Sequence, residues 1–210
     1  LLAKRQMVAE GLPTPPCAGA GAPAQGVFII KSVWEHASIG LTRASVVEVR
    51  GAAELARAMR AAERRLGREC FAEAFVAGRE FNLSLLAGAA GPEVLPPAET
   101  VFGGYAADEP HVVDYAEKWG DAQRATRRFR FPRRDAPLLG HLCELARRCW
   151  ECFGLRGYAR VDFRVDGAGE PWVLEVNTNP CLAPDAGFAA AVRRAGLTMG
   201  QAVERILADT

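Results

Sequence analysis

The chain has 210 residues, 50% of them hydrophobic and 24% charged, with a net charge of +1. That is an ordinary globular composition, enough to bury a core as one domain or two small lobes. Nothing in the near-neutral balance asks for nucleic acid or membrane, no apolar run approaches the roughly 20 residues of a membrane span, and the opening LLAKRQMVAEG lacks a signal-peptide core.

In chain order, the pattern predicts a helix over residues 1–10 closed by Gly11, then a proline-rich turn through Pro16 and a loose Ala/Gly stretch to about Gly26. A strand is expected at 27–31, a loop at 34–40, a strand at 43–50, a helix rich in Ala and Arg at 52–66 and a strand at 70–76. Segments 80–87, 93–100 and 123–131 read as strand or loop. A helix follows at 136–153, then a hairpin, then helices at 185–195 and 198–208. Strand pairs alternating with helices indicate an α+β fold rather than a parallel doubly wound sheet.

The six cysteines are irregularly spaced in a chain too large to need disulfide staples, which points to reduced thiols in a cytoplasmic protein. Cys149 and Cys152 spell C-x-x-C, but they lie in the helical run 138–153 with no second such pair, so helix core is the expected role. His36, His111 and His141 are scattered without ligand-spaced partners. The segment Gly19-Ala20-Gly21-Ala22-Pro23 lacks the strand and spacing of a dinucleotide fingerprint and reads as loop.

The chemistry concentrates in residues 157–180, GYARVDFRVDGAGEPWVLEVNTNP. Val161, Phe163 and Val165 alternate with Arg160, Asp162 and Arg164, and the Asp166 to Glu170 stretch supplies a Gly-containing hairpin turn. Pairing the two strands brings Asp162 opposite Glu175 and Asn177, a hard oxygen set suited to Mg²⁺. An isolated pattern of this kind would also fit a surface hairpin with solvated charges. Glu175, however, sits inside an apolar strand, where an uncompensated carboxylate is costly and a cation removes the cost.

R-V-D-F followed by L-E-V-N-T-N-P resembles the metal-binding signature of the ATP-grasp superfamily in its D-alanine:D-alanine ligase form. V-F-I-I-K with W-E-H-A-S-I-G-L, C-F-A-E-A-F-V-A-G-R-E-F, L-P-P-A-E and D-Y-A-E-K-W resemble further motifs of that family, in order along nearly the whole chain. The resemblance implies two α+β lobes with antiparallel sheets clamping ATP between them. It divides the chain into a helix and linker at 1–18, a small lobe at 19–78 and a C-terminal lobe with the metal site at 79–210. It also implies a ligase that activates a carboxylate as an acyl phosphate for attack by an amine, with ADP and phosphate released. ATP and Mg²⁺ are the implied cofactors, two ions, with Mn²⁺ able to substitute. Small carboxylate and amine substrates, no nucleic acid, no membrane and, as an allowed state, a homodimer complete the implied partners.

By the same resemblance, Asp162, Glu175 and Asn177 are the metal ligands and Arg160 the catalytic cation. Lys31 and Lys118 would meet phosphates, although each also fits a solvated surface lysine. Glu73 and the backbone of the Ala74-Phe75-Val76 run would meet adenine, Leu174 would close one face of the base, and Glu80 would accept the ribose hydroxyls or else be a solvated edge-strand acid. Departures from the family pattern are Cys181 in place of Gly, Asp185 near the acceptor carboxylate, Trp119 in place of Tyr and Ala37 in place of Ser. Asp185 has a second reading, as the cap of the helix after it. The resemblance further implies an amino-terminal domain ahead of Leu1, with Lys4 as substitute for a phosphate-contacting lysine, and leaves a non-catalytic nucleotide-binding module or fragment as the alternative to a ligase.

Overall fold

The computed structural model describes residues 1–18, 25–34, 40–102, 127–132 and 135–209. They form two compact units, one built on Pro15–Ala77, the other on Leu2–Thr14, Gly78–Val101 and Arg127–Thr210. The opening helix α1 (Leu2–Ala9) therefore belongs to the second unit. Its Met7 is 1% exposed in that unit's core.

In the first unit, β1 (Gly26–Ser32) is the middle of a three-stranded antiparallel sheet, between β2 (Val46–Val49) and β3 (Cys70–Ala74). Strand alternation sends Phe28 and Ile30, with Ala72 and Cys70, onto the face covered by Leu55 and Ala62 of α2 (Ala52–Leu66). The opposite face carries Ile29 beside Glu73 and Lys31 beside Phe71. Helix α2 ends where Gly67 takes a φ of 68°, a conformation glycine adopts without a side-chain clash.

Two expectations here need correcting. The strand predicted at 43–50 begins as a 3₁₀ turn, Arg43–Ser45, because Thr42 and Ser45 exchange hydrogen bonds: the Thr42 amide donates to Ser45 Oγ at 3.1 Å, and the Ser45 amide to the Thr42 carbonyl at 2.9 Å. The strand predicted at 70–76 stops at Ala74, although the Phe75 amide still donates to the Val27 carbonyl at 2.9 Å.

The second unit is a six-stranded sheet of β4 (Arg79–Leu86), β5 (Glu93–Val94), β6 (Ala98–Phe102), β7 (Arg127–Arg130), β8 (Tyr158–Val165) and β9 (Pro171–Asn177). The order is β7-β6-β4-β8-β9, with β5 paired to β4. The segment expected at 93–100 is thus two strands, since Pro96 and Pro97 cannot donate to a ladder and interrupt it. Helix α3 (Ala136–Cys152) lays Leu142, Leu145, Ala146, Cys149 and Trp150 on one sheet face, against Phe81, Leu83, Leu85, Val161, Phe163 and Val165.

Helices α4 (Gly187–Arg194) and α5 (Met199–Ala208) bury Phe188, Val192 and Ala202 with Leu86 and Leu95. Thr198 caps α5 by accepting from the Gln201 amide at 3.2 Å. The helix expected from residue 185 starts at Gly187 with Ala186 as its N-cap and no side-chain capping bond, so Asp185 is not the cap. Among the described residues no helix is long and apolar enough to cross a membrane.

Candidate active site

Alternation along β4, β8 and β9 gives the second sheet a polar face behind its apolar one. Directly paired across β4 and β8 are Glu80 with Arg164, Asn82 with Asp162 and Ser84 with Arg160. Across β8 and β9, Asp162 stands opposite Glu175 and Arg160 opposite Asn177. The register then jumps: Phe163 pairs with Val173, leaving Leu174 as an extra residue in β9. This bulge decides the site. Val173 faces the apolar core, and without the extra residue Glu175, two positions on, would face the core as well.

Asp162 is the centre of the cluster, 7% exposed. Arg160 grips it with two bonds, Nε to Oδ1 and Nη2 to Oδ2, each 2.7 Å. Asn82 Nδ2 donates to Oδ1 at 2.7 Å, and the Thr100 hydroxyl of β6 donates to Asn82 Oδ1 at 2.7 Å. Asn177 Nδ2 donates to Asp162 Oδ2 and to Glu175 Oε1, both at 3.1 Å, so one amide spans the two carboxylates. Burial alone would raise the Asp162 pKa; the Arg160 charge and hydrogen bonds outweigh it and hold the carboxyl below its usual value. For Arg160, burial works against the cation, but Asp162, Glu175 and Glu80 keep it firmly protonated.

The donor set suits a hard divalent cation. Two carboxylates lie directly opposite each other, and an amide touching both can present oxygen in place of nitrogen by turning half a revolution. Among the described residues no group of three or more His, Cys, Asp or Glu side chains could hold a metal, so within them a cation here would rest on the two carboxylates together with the amide. Neighbouring Glu80 accepts from Arg164 Nε at 3.1 Å and Nη2 at 2.8 Å through one oxygen, Oε2. Leu174 is half-buried at the bulge.

Of the other expected nucleotide contacts, Lys31, Glu73, Ala74, Phe75 and Val76 lie in the first unit and Lys118 outside the described residues. Lys31 and Glu73, assigned to phosphate and to adenine, form an ion pair with each other, the Lys31 side chain 22% and that of Glu73 1% exposed. The Ala74 amide donates to the Pro16 carbonyl at 3.0 Å, which commits it within the unit; Phe75 and Val76 are half-buried just past the strand. Lys118, Trp119, Ala37 and the loop around it fall outside the described residues. Lys4 is buried in the second unit, where its ammonium donates to Thr14 Oγ1 and to the Val173 carbonyl, so it is not placed as a substitute phosphate contact.

Cys149 is buried in α3, its thiol pushed up to about 12 by burial first and then by Cys152, which agrees with helix core. Cys181 and Asp185 are both exposed. Asn82, Thr100 and Arg164 escaped the motif reading. The signal for Asn82 was present: in 79–86 it alternates with Phe81 and Leu83, on the face of Glu80.

A small antiparallel sheet with its helix, and a second sheet whose polar face carries Arg, Asp, Glu and Asn on a bulged hairpin, define the ATP-grasp fold. Solved structures agree: a D-alanine–D-alanine ligase from Bacillus anthracis aligns over 99% of this chain and 65% of its own with a TM-score of 0.73 at 19% identity. A D-Ala:D-Ser ligase from Enterococcus faecalis aligns over 98% and 59% with a TM-score of 0.72, also at 19% identity.

The family model described as D-ala D-ala ligase C-terminus matches residues 25–208, and the chain belongs to that family. Among curated relatives, the D-alanine–D-alanine ligase of Chromohalobacter salexigens is 36% identical over 96% of this chain, and that of Ectopseudomonas mendocina 34% over 95%. The chain spans 62% and 61% of the lengths of those two relatives.

Proposed function

We propose that this chain is the nucleotide- and metal-binding part of an ATP-dependent carboxylate–amine ligase that acts in the cytoplasm on small amino-acid-like substrates. The observation that carries the reading is the set Arg160, Asp162, Glu175 and Asn177, gathered on one sheet face by a bulge that turns Glu175 out of the core. The relatives' name, D-alanine–D-alanine ligase, supports the same class. ATP would supply the phosphoryl group that activates a carboxylate as an acyl phosphate, which an amine then attacks with release of ADP and phosphate.

Asp162, Glu175 and Asn177 would hold Mg²⁺, with Mn²⁺ as a substitute and a second ion accommodated by the phosphates. Arg160 is permanently charged, and its two bonds to Asp162 fix its orientation before any substrate arrives, so it can stabilise developing negative charge without reorganising. Asn82 and Thr100 orient Asp162 in turn. In the second unit, Glu80 is the proposed ribose contact, held in place by Arg164, and Leu174 the proposed apolar contact of the base. In the first unit, Lys31 is the proposed phosphate contact, and Glu73 with the Ala74-Phe75-Val76 run the proposed adenine contacts. Lys118 is proposed for phosphate from the sequence alone. A homodimer is compatible with this reading.

The acceptor is proposed to differ from D-alanine. Asp185 and Cys181 stand exposed in the loop ahead of α4, where the resemblance puts the acceptor carboxylate. Two like charges about 4 Å apart repel by on the order of 4 kcal/mol at an effective dielectric of about 20, which favours an acceptor neutral or cationic at that point. ADP release with D-alanine and with amines lacking a carboxylate, in the wild type and in Asp185→Ser, tests this. Efficient D-alanyl-D-alanine synthesis by the wild type would falsify the altered-acceptor reading. Mg-ATP binding without ADP release for any amine would instead indicate a binding module.

A further inference from the structure

Strand β8 carries two arginines on the face of Asp162, and each takes a different carboxylate. Arg160 engages both oxygens of Asp162. Arg164 instead brings Nε and Nη2 to a single oxygen of Glu80, Oε2, at 3.1 and 2.8 Å. The other oxygen, Oε1, accepts no hydrogen bond among the described residues.

Backbone geometry fixes this grip from both strands. Glu80 and Arg164 are direct partners across β4 and β8. Gly78, packed too closely on the Val165 carbonyl for a Cβ to fit, brings its own carbonyl to 3.5 Å from Arg164 Nη1. The Arg164 side chain is 6% exposed and that of Glu80 13%. Arg160 also feels the Glu80 charge, so Glu80 has a second cation within reach and Arg164 commits it to one. A buried ion pair adds little net stability. A carboxylate held by one oxygen, however, keeps the other ready for a ligand, with no side chain left to order on binding. Because a carboxylate only accepts, the ligand group must be a donor such as a hydroxyl. The pair lies roughly 7 Å along β8 from Asp162, a span that a sugar and its phosphate chain can bridge.

We infer that Arg164 is a positioning residue that sets selectivity for the sugar: by holding Glu80 at Oε2 it presents Oε1 to a ribose hydroxyl and favours ribonucleotides over nucleotides lacking both hydroxyls. The inference rests on the ligase reading above and on its assignment of Glu80 to ribose.

The readout is the ratio of the dissociation constants of the 210-residue chain for Mg-2′,3′-dideoxy-ATP and Mg-ATP, measured by calorimetry beside thermal unfolding. A ratio cancels any change in attraction for the phosphates that both nucleotides share. The wild type is expected to prefer ATP by about tenfold or more, the worth of a hydrogen bond to a charged group. Arg164→Met should lower that preference by about threefold or more, the cost of ordering a side chain no longer held. Arg164→Gln serves the same purpose should Arg164→Met fail to fold. In a Glu80→Ala background Arg164→Met should leave the ratio unchanged, since the pair acts through one carboxylate. Arg79→Met breaks an ion pair on the Phe81 side of β4, where Arg79 Nε and Nη2 donate to Glu99 at 2.9 and 3.1 Å, and should keep the wild-type ratio whatever its melting temperature. An undiminished ratio in the folded Arg164 variant, or an equal fall in Arg79→Met or in the Glu80→Ala background, overturns the inference and leaves the ribose assignment and the ligase reading standing. A wild type without preference for ATP removes Glu80 from the ribose and the inference with it, while the ligase reading stands. A wild type that binds neither nucleotide overturns the ligase reading as well.

Discussion

The two faces of the second sheet are made by the same strands and serve opposite ends. On one face Phe81, Leu83, Val161 and Phe163 are fully buried against α3; on the other Asn82 and Arg160 are bonded to Asp162, and Glu80 to Arg164. Neighbouring residues in sequence therefore have unrelated jobs, because successive side chains in a strand point to opposite faces. The core face gains stability from burial in proportion to area, roughly 1.5–3 kcal/mol for a large apolar side chain. The polar face gains little: its charges lose solvation, and their mutual bonds mainly offset that loss. Stability and chemistry should accordingly separate by residue parity along β8.

The sharpest break is Phe163→Ala. Phe163 is 0% exposed at the centre of the core cluster, so its truncation is expected to cost about 3–5 kcal/mol of stability, read as a lowered urea midpoint with an unchanged slope. One position away, Asp162→Asn keeps a polar side chain beside Arg160 and should cost less stability than Phe163→Ala. A comparable loss in the two variants would show that the polar cluster is part of the structural core.

Ligand response should show the reverse order. Mg-ATP at 100 times its dissociation constant is expected to stabilise the wild type by about 2.7 kcal/mol, visible as a raised melting temperature. Asp162→Asn and Glu175→Gln should lose the Mg²⁺-dependent part of that shift. In an active enzyme, ADP release should fall more than tenfold in either variant, a barrier increase above about 1.4 kcal/mol. Retention of more than a tenth of the rate removes both residues from the metal site.

The smallest expected effect lies away from both faces. Thr198→Ala deletes the cap of α5 and should cost about 1 kcal/mol, with the response to Mg-ATP unchanged. A change in nucleotide response there would mean that the separation of the faces does not hold across the unit.

Gly78 shows how close the backbone itself comes to setting this geometry. It has a φ of 139°, and a Cβ on it would meet the Val165 carbonyl oxygen at 2.1 Å. Only glycine fits where the chain enters β4 against the end of β8.

The sequence by itself determined which residues share a face within each strand, because a period of two is written locally: Arg160, Asp162 and Arg164 against Val161, Phe163 and Val165. It also determined the helix at Ala52–Leu66 and the hairpin turn, where the Asp166 carboxylate accepts from the Ala168 and Glu170 amides at 2.9 and 3.0 Å. The ordered motifs carried the family, as the match over residues 25–208 bears out. Only the tertiary structure decided the strand order that brings Asn82 and Thr100 to Asp162, the extra residue at Leu174 that turns Glu175 outward, and the burial of Lys4 against Val173. Those features depend on which strands meet and on a one-residue register shift. Val173 and Val176 look alike in composition on either side of the bulge, and only pairing with β8 fixes where the shift falls.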